Sequence, residues 1–305
     1  MKLSIIVPCY NEEKSLPYFF IEANKHALKT NLEIEYICVN DGSKDRTLDV
    51  LIEHKKGFNL SIIDFSRNFG KESAILAGLQ ASTGDYVVIM DADLQDPPYL
   101  LPEMVNALTS EGYDSVATYR VDRKGEPKIR SFFARNFYKL INRISDVDIV
   151  DGARDYRMMK RSMVDAILSL NEYHRFSKGI FAWVGFKTKL LPFENVERVA
   201  GETKWSFWKL FKYAIEGIVA FTTVPLRISI LFGLMVSVLA FLYMIYVFVK
   251  AMLFGDPVAG YPSMMVIILF LGGIQLLSIG VLGEYMSKTY MEVKHRPNYI
   301  VKNKY

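Results

Sequence analysis

The chain has 305 residues, 51% of them hydrophobic, with a formal net charge of +4 and two cysteines. A mean hydropathy of +0.14 is high for an ordinary soluble domain. The small positive charge does not indicate a nucleic-acid partner, because no nucleic-acid-binding motif accompanies it, and contact with anionic lipid explains it better. Cys9 and Cys38 lie in or beside apolar runs, and we expect buried thiols rather than a disulfide.

Strands and helices alternate through the first 120 residues. Apolar, β-rich runs predict strands at residues 3–8, 34–39, 60–65, 85–90 and 115–119. Helix-compatible stretches occupy residues 14–30, 45–55 and 71–81. The N-terminal run is too short for a signal peptide. This alternation predicts an α/β fold with a mostly parallel sheet and helices on both faces, and its strand ends would converge on one edge.

Asp91 and Asp93 follow the fourth predicted strand, which Pro97 and Pro98 prevent from continuing. Ligands of open α/β sheets bind beyond the carboxyl ends of the strands. Two carboxylates one residue apart can hold a hard divalent cation, which in turn can grip a diphosphate. We therefore predict a catalytic Mg²⁺ or Mn²⁺ site, with Asp93 as the first choice of ligand and with Asp91 and Gln95 sharing the metal, ribose and sugar contacts. A helix-capping acidic turn is the alternative.

Two uncharged stretches near the C-terminus predict a transmembrane hairpin. Residues 228–249 would span about 33 Å as a helix, enough for the hydrocarbon core. Residues 263–283 form the second predicted span, and buried helices of a soluble protein are the alternative for both. Lys and Arg flank the hairpin on both outer sides. The positive-inside rule then places the catalytic domain and both termini in the cytoplasm, with the chain anchored in the cell (inner) membrane.

The remaining segments are assigned around this hairpin. Residues 1–205 form the predicted catalytic domain, and residues 284–305 a cytoplasmic tail. Within the domain, residues 128–144 carry apolar and basic side chains at helical spacing. This pattern favours a helix in the membrane interface, although a helix packed on the core would show it too. The aromatic-rich segment 206–227 is a second interfacial candidate.

Seven segments match, in order, a known family of membrane enzymes. They are IVPCYNEE (6–13), VNDGSKDRT (39–47), SRNFGKE (66–72), DADLQDPP (91–98), DYRMMKR (155–161), RVAGETKWS (198–206) and EVKHRPNYIV (292–301). The chain resembles the polyprenyl-phosphate glycosyltransferases of glycosyltransferase family 2, relatives of dolichyl-phosphate mannose synthase and the bactoprenol glucosyltransferases. It departs from the family at Thr203, where Ser is common, and at Arg154, which adds a charge to a GDFR-like segment.

The resemblance implies a glycosyltransferase A fold, a nucleotide-sugar donor and a lipid phosphate acceptor. It assigns donor binding to Pro8, Tyr10, Asn11, Glu12, Val39, Asp41, Arg67, Lys71, Asp91, Ala92, Asp93, Gln95 and Arg120. Arg67 and Lys71 could instead be surface charge at a helix start. Arg198 and Lys204 would close over the substrate phosphates, with solvated charge as the alternative.

Asp155 occupies the position of the family's proposed catalytic base. A phosphate monoester is largely dianionic at pH 7 and needs little deprotonation before it attacks. Asp155 is therefore either a base or a group that positions the acceptor or metal, with Arg157 offsetting the repulsion between anions.

The leading functional hypothesis is inverting transfer of glucose from UDP-glucose to undecaprenyl phosphate, for modification of cell-envelope glycans. N-acetylglucosamine, mannose or aminoarabinose as the sugar, and GDP as the donor nucleotide, stay open. A processive polysaccharide synthase is disfavoured because two spans are few and no Gln-x-x-Arg-Trp segment is present. A non-catalytic adaptor or flippase is disfavoured by the acidic motif. Gly272, Gly273 and Gly280 would permit helix contacts in a homo-oligomer.

Overall fold

The structure is a computed structural model that describes residues 1–121, 153–194, 222–254 and 260–305. The chain divides into two compact units. The first contains Met1–Gly217 together with Arg296–Tyr305, and the second contains Ile218–His295. The predicted helix at 128–144 and most of the segment 206–227 lie outside the described residues.

The described residues of the first unit build an α/β layer structure. Its strands are β1 (Lys2–Cys9), β2 (Glu33–Asn40), β3 (Leu60–Phe65), β4 (Tyr86–Ile89), β5 (Ser115–Arg120), β6 (Ala153–Lys160), β7 (Thr188–Phe193) and β8 (Val301–Lys304). Its helices are α1 (Leu16–Ala27), α2 (Thr47–His54), α3 (Lys71–Ala81), α4 (Leu101–Thr109), α5 (Arg161–Leu168) and α6 (Ser177–Trp183). Short 3₁₀ turns occupy Leu28–Thr30 and Pro98–Leu100. The five predicted strands and the predicted helix at 71–81 are confirmed.

The strands form one sheet in the order β7-β5-β6-β4-β1-β2-β3-β8. Strands β4, β1, β2 and β3 pair in parallel, as predicted, whereas β6 is antiparallel to both β4 and β5. Strands β1 to β5 consequently end at the same edge of the sheet, and β6 begins there. This mixed topology brings residues from the start of β6 beside the acidic pair that follows β4.

The middle of helix α3 is buried against the sheet. Every residue from Ser73 to Leu79 is buried. The helix lies so close to β1 that a Cβ atom on Gly78 would stand 2.2 Å from Cγ2 of Ile6. Only glycine fits this approach, and the contact fixes the height at which α3 begins above the sheet edge.

The last ten residues return to the first unit. Strand β8 pairs antiparallel with β3, and the Ser66 N–H donates to the carbonyl of Ile300 at 3.0 Å. The ring of Tyr299 stacks on Phe65 with a centroid distance of 4.7 Å, and its hydroxyl donates to Gln80. The sequence analysis predicts a tail here but no strand, because VKNK has too few apolar residues to indicate one.

Asn298 extends this attachment to α3 and to the loop before α6. Its carbonyl accepts from the Ser73 hydroxyl at 3.1 Å, across 225 residues of sequence. Its side-chain amide donates to the Tyr173 carbonyl at 2.8 Å. The tail therefore supports the helix and the loop that border the sheet edge.

The second unit contains two long apolar helices, α7 (Val224–Phe254) and α8 (Tyr261–Val293). Both hold a segment long and apolar enough to cross a membrane: Val224–Tyr243, with mean hydropathy 2.1, and Phe270–Val293, with mean hydropathy 1.2. Their described apolar side chains are largely exposed. Both helices extend beyond the predicted spans of 228–249 and 263–283. The prediction ended each span near a charged residue, but a helix can continue through a charged residue that lies outside the hydrocarbon core.

Replacing Tyr299 by Ala should destabilise the first unit. The substitution removes the stacking on Phe65 and the hydrogen bond to Gln80, and we expect a loss of about 1–2 kcal/mol in thermal or denaturant unfolding. Ile300→Ala is the matched control, because its side chain is 54% exposed and its carbonyl is kept. The control should change stability by less than about 0.5 kcal/mol. Equal losses in the two variants would contradict the role given to the Tyr299 ring.

Candidate active site

The loops that follow β1 and β2 are tied to each other by side-chain hydrogen bonds. The Asn11 N–H donates to Oγ of Ser43 at 3.0 Å, and the Glu12 N–H donates to Oγ1 of Thr47 at 2.8 Å. Asn11 takes a left-handed conformation with φ of 57°. These bonds hold the predicted nucleoside-binding residues of the two loops together at the carboxyl ends of β1 and β2.

Asp41 joins the end of β2 to the turn that precedes α3. The side chain is 3% exposed, and its two oxygens accept from the N–H groups of Phe69 at 2.6 Å and Gly70 at 2.9 Å. Burial raises the pKa of Asp41, while these two hydrogen bonds act in the opposite direction. The structure thus shows a turn-holding role for Asp41. Arg67, in the same turn, lies 4.1 Å above the Phe69 ring, and its predicted donor contact stays a prediction.

The loop after β4 folds its acidic residues against its own backbone. The Asp91 N–H donates to Oδ2 of Asp96 at 3.0 Å, and the Gln95 N–H donates to Oδ1 of Asp93 at 3.1 Å. Nη2 of Arg120, at the end of β5, donates to Oε1 of Gln95 at 3.2 Å. The structure therefore brings together the three predicted metal-site residues and Arg120.

Lys71 connects the carboxylates that follow β4 and begin β6. Its Nζ lies 2.7 and 2.9 Å from the two oxygens of Asp91 and 2.8 Å from Oδ2 of Asp155. The three N–H donors of the ammonium group match these three oxygens. Desolvation acts to lower the pKa of Lys71, but the charges of Asp155 and Asp91 outweigh it and raise that pKa. Lys71 is therefore protonated in this cluster near neutral pH.

Asp155 stays ionised for the same reason. Burial acts to raise its pKa, but the positive charges of Lys71 and Lys178 hold that pKa well below its usual range. A carboxylate stabilised in this way is a weak proton acceptor near neutral pH. Lys178, near the start of α6, belongs to no motif that the sequence analysis singled out.

Arg154 and Asp96 form a second ion pair, which the sequence analysis did not predict. Nη2 of Arg154 lies 3.1 Å from Oδ1 of Asp96 and 4.0 Å from Oδ2 of Asp91. Burial raises the pKa of Asp96 to about 6, while the Arg154 charge acts to lower it. The only hint of this ion pair in the sequence was that Arg154 departs from the family pattern. In the structure, Arg154 places a positive charge next to the acidic loop.

Arg157 is directed into the protein. It is 8% exposed, its Nη1 donates to Oγ of Ser115 at 3.1 Å, and its guanidinium lies 4.9 Å above the ring of Phe181. Burial lowers the pKa of Arg157 to about 10, which the Asp155 charge opposes. These contacts anchor β6, and the predicted acceptor contact of Arg157 stays a prediction.

Glu72 fastens α6 to α3. Its carboxylate accepts from the N–H of Ser177 at 3.0 Å and also from the Ser177 hydroxyl. Burial raises the pKa of Glu72 to about 7, the Asp155 charge adds to this rise, and the Ser177 hydrogen bonds oppose it. Neither residue was predicted as a site residue, because their contact depends on how the two helices pack.

The acidic loop suits a divalent cation that takes few protein ligands. Among the described residues, no group of three His, Cys, Asp or Glu is arranged to hold a metal. Mg²⁺ in phosphate-handling sites commonly takes one or two carboxylates, with waters and substrate phosphates completing its shell. Asp91 and Asp93 supply this kind of donor set. The predicted phosphate-binding residues Arg198 and Lys204 lie outside the described residues.

Comparisons with known proteins match both parts of the chain. The profile of glycosyl transferase family 2 matches residues 4–168, and that of the GtrB C-terminal hairpin matches residues 224–289. An uncharacterized glycosyltransferase of Synechocystis sp. is 44% identical over 302 residues, covering 99% of this chain and 95% of that protein. A bactoprenol glucosyl transferase of Shigella phage SfV is 43% identical over 304 residues, covering 99% of each.

One solved structure is also similar in fold. Glucosyl-3-phosphoglycerate synthase from Mycobacterium tuberculosis, in complex with Mn²⁺, UDP-glucose and phosphoglyceric acid, aligns with a TM-score of 0.48 at 20% identity. The alignment covers 72% of this chain and 77% of that one.

The pKa of Glu72 gives its contribution to stability a definite pH dependence. Between its ordinary value of 4.5 and about 7, the folded chain retains a proton that the unfolded chain releases, so this contribution falls as pH rises through that window. Glu72→Gln removes the dependence. The free energy of unfolding of the variant, relative to that of the wild type, should rise by roughly 1–3 kcal/mol between pH 4.5 and pH 8. Unfolding measured at several pH values gives this difference. The exposed Glu103→Gln serves as control, and a pH-independent difference for Glu72→Gln would refute the assignment.

Proposed function

The chain belongs to glycosyl transferase family 2, and from this premise we propose that it transfers glucose from a nucleotide donor, UDP-glucose, to polyprenyl phosphate. The observation that carries the proposal is similarity along the whole chain. The relative named a bactoprenol glucosyl transferase matches through the catalytic domain and the C-terminal hairpin alike. The glycosyltransferase activity itself follows from family membership.

The hairpin would hold the enzyme at the membrane that contains its lipid acceptor. The matched hairpin, with the two apolar helices that form it, makes the chain membrane-associated. A polyprenyl phosphate keeps its chain in the bilayer and its phosphate at the headgroup level. We propose that α7 and α8 both cross the membrane and that the first unit faces the cytoplasm, where nucleotide sugars are made. The basic residues on both outer sides of the hairpin support this orientation.

Charge development on the donor determines what the site must supply. When the bond between the anomeric carbon and the diphosphate breaks, its electrons remain on the nucleoside diphosphate. Asp91 and Asp93 would hold a divalent cation, which when bound offsets that negative charge. Arg120, held beside Gln95, lies at the same strand ends and would contact the diphosphate.

The acceptor requires little help from a base. One oxygen of the phosphate dianion attacks the anomeric carbon and forms the new bond as the nucleoside diphosphate leaves from the opposite face. An α-linked donor then gives a β-linked product. Because the acceptor is already largely deprotonated at pH 7, Asp155 has no proton to take. We propose that Asp155 positions Lys71, which its 2.8 Å ion pair and its permanently ionised carboxylate support.

Asp93→Asn should abolish most of the transfer without unfolding the chain. The substitution keeps the size of the side chain but removes the carboxylate, so we expect kcat to fall by a factor on the order of 10²–10³. The assay follows transfer of label from UDP-[¹⁴C]glucose to undecaprenyl phosphate in detergent, with Mg²⁺ or Mn²⁺ and after chelation. Asp114→Asn, on the ion pair with Lys160 at 3.2 Å, is the control and should retain activity. A fully active Asp93→Asn variant would overturn the assigned metal site, and no transfer from any nucleotide sugar would overturn the function.

The pH profile of Asp155→Asn separates the two roles considered for Asp155. If Asp155 positions Lys71, kcat falls while the acid limb of kcat/KM keeps the wild-type shape, because Asp155 does not titrate in the working range. If Asp155 were the base, the variant would lose the part of that limb that Asp155 contributes and keep only the titration of the acceptor phosphate, at about pH 6. The measurement is kcat/KM for the lipid acceptor between pH 5 and pH 9 in both proteins.

A further inference from the structure

Lys71 occupies the oxygen atoms that a divalent cation would use. Its ammonium group lies within 2.9 Å of both oxygens of Asp91, so neither oxygen is accessible without a close approach to Nζ. A divalent cation binds carboxylate oxygens at about 2.0–2.6 Å and would be strongly repelled by an ammonium group on the same carboxylate. Lys71 and a divalent cation would therefore compete for Asp91.

The surroundings allow Lys71 to change partners. The side chains of Lys71, Asp91 and Asp155 are 41%, 25% and 20% exposed, which leaves the cluster open to solvent and solutes. Asp155 binds Lys71 independently of Asp91, from a different strand. Arg154 also lies near Asp91, with Nη2 at 4.0 Å from Oδ2, and is paired with Asp96.

We propose that Lys71 is a positioning residue that competes with a divalent cation for Asp91, and that Asp155 retains its ammonium group in the site after it leaves Asp91. The inference rests on the proposed function, because it concerns the metal that the proposed reaction uses. Its consequence is that bare metal binds weakly. A metal bound together with a nucleoside diphosphate binds well, because the diphosphate offers Lys71 new anionic oxygens.

Metal binding to the full-length chain in detergent tests the competition without any reaction. The probe is Mn²⁺, and the free ion is followed by electron paramagnetic resonance. Lys71→Met should bind Mn²⁺ more tightly than the wild type in the absence of nucleotide, by a factor on the order of ten, because the competing charge is gone. Lys160→Met removes a comparable Lys–Asp ion pair at the far end of β6, the strand that carries Asp155, and should leave Mn²⁺ affinity unchanged.

A second measurement reports the displacement itself. Acetylation of lysines by a small amine-reactive ester, quantified by peptide mass spectrometry, should be slow at Lys71 and several-fold faster when Mn²⁺ is added. The same peptide maps give Lys160 as an internal reference with a constant rate. This measurement uses the wild-type chain and so does not depend on whether the Lys71→Met variant folds.

The outcomes separate the inference from the function. Mn²⁺ affinity that is equal or weaker in Lys71→Met, or a Lys71 acetylation rate that Mn²⁺ leaves unchanged, would overturn the competition while the enzyme still binds metal with UDP. A wild-type chain that binds no Mn²⁺ even with UDP would overturn the metal-dependent function, and the inference with it. Tighter binding in the variant together with faster acetylation of the wild type would support the competition at Asp91.

Discussion

Negative charge at one edge of the sheet is the constraint that shapes this site. Parallel pairing of β1 to β4 places Asp91 at that edge, and the antiparallel β6 brings Asp155 to the same place. Carboxylates at such short range, partly removed from water, destabilise one another unless cations lie between them. Lys71 from α3 and Arg154 from β6 supply those cations, at 2.7 Å from Asp91 and 3.1 Å from Asp96. In the proposed function, a metal or diphosphate would meet charges that are already paired, and its binding would exchange the partners of Lys71.

Helix α3 connects this cluster of charges to the sheet and to the C-terminal residues. Its first turn carries Lys71 and Glu72, its middle lies against β1 through Gly78, and its Ser73 hydroxyl reaches the carbonyl of Asn298. The residues that follow the membrane hairpin thus support the helix that carries the central cation. In this chain the first strand, β1, lies in the middle of the sheet, and the last strand, β8, forms one of its edges.

The proposed acceptor fits the charge balance better than a neutral alcohol would. A hydroxyl acceptor needs a base with a pKa near the working pH. Asp155 has the opposite property, since Lys71 and Lys178 hold its pKa well below its usual range. A phosphate dianion brings its own nucleophilic oxygen, and what it needs from the protein is a set of cations. In this proposal the main catalytic task is to stabilise the negative charge on the leaving diphosphate, beside Asp91 and Asp93.

Local sequence patterns were enough to predict the features that arise within one element. Apolar runs located five strands, uncharged stretches located the two apolar helices, and a helix-compatible stretch matched α3. The position of Asp91 and Asp93 after a buried strand predicted the site. Tertiary structure alone decided which charges pair: Lys71 with Asp91, 20 residues apart, and Glu72 with Ser177, 105 residues apart. It also decided that VKNK becomes β8. The physical reason is that periodicity reports which face of an element is buried, whereas partners across the sheet depend on strand order and on crossing positions that no local pattern contains.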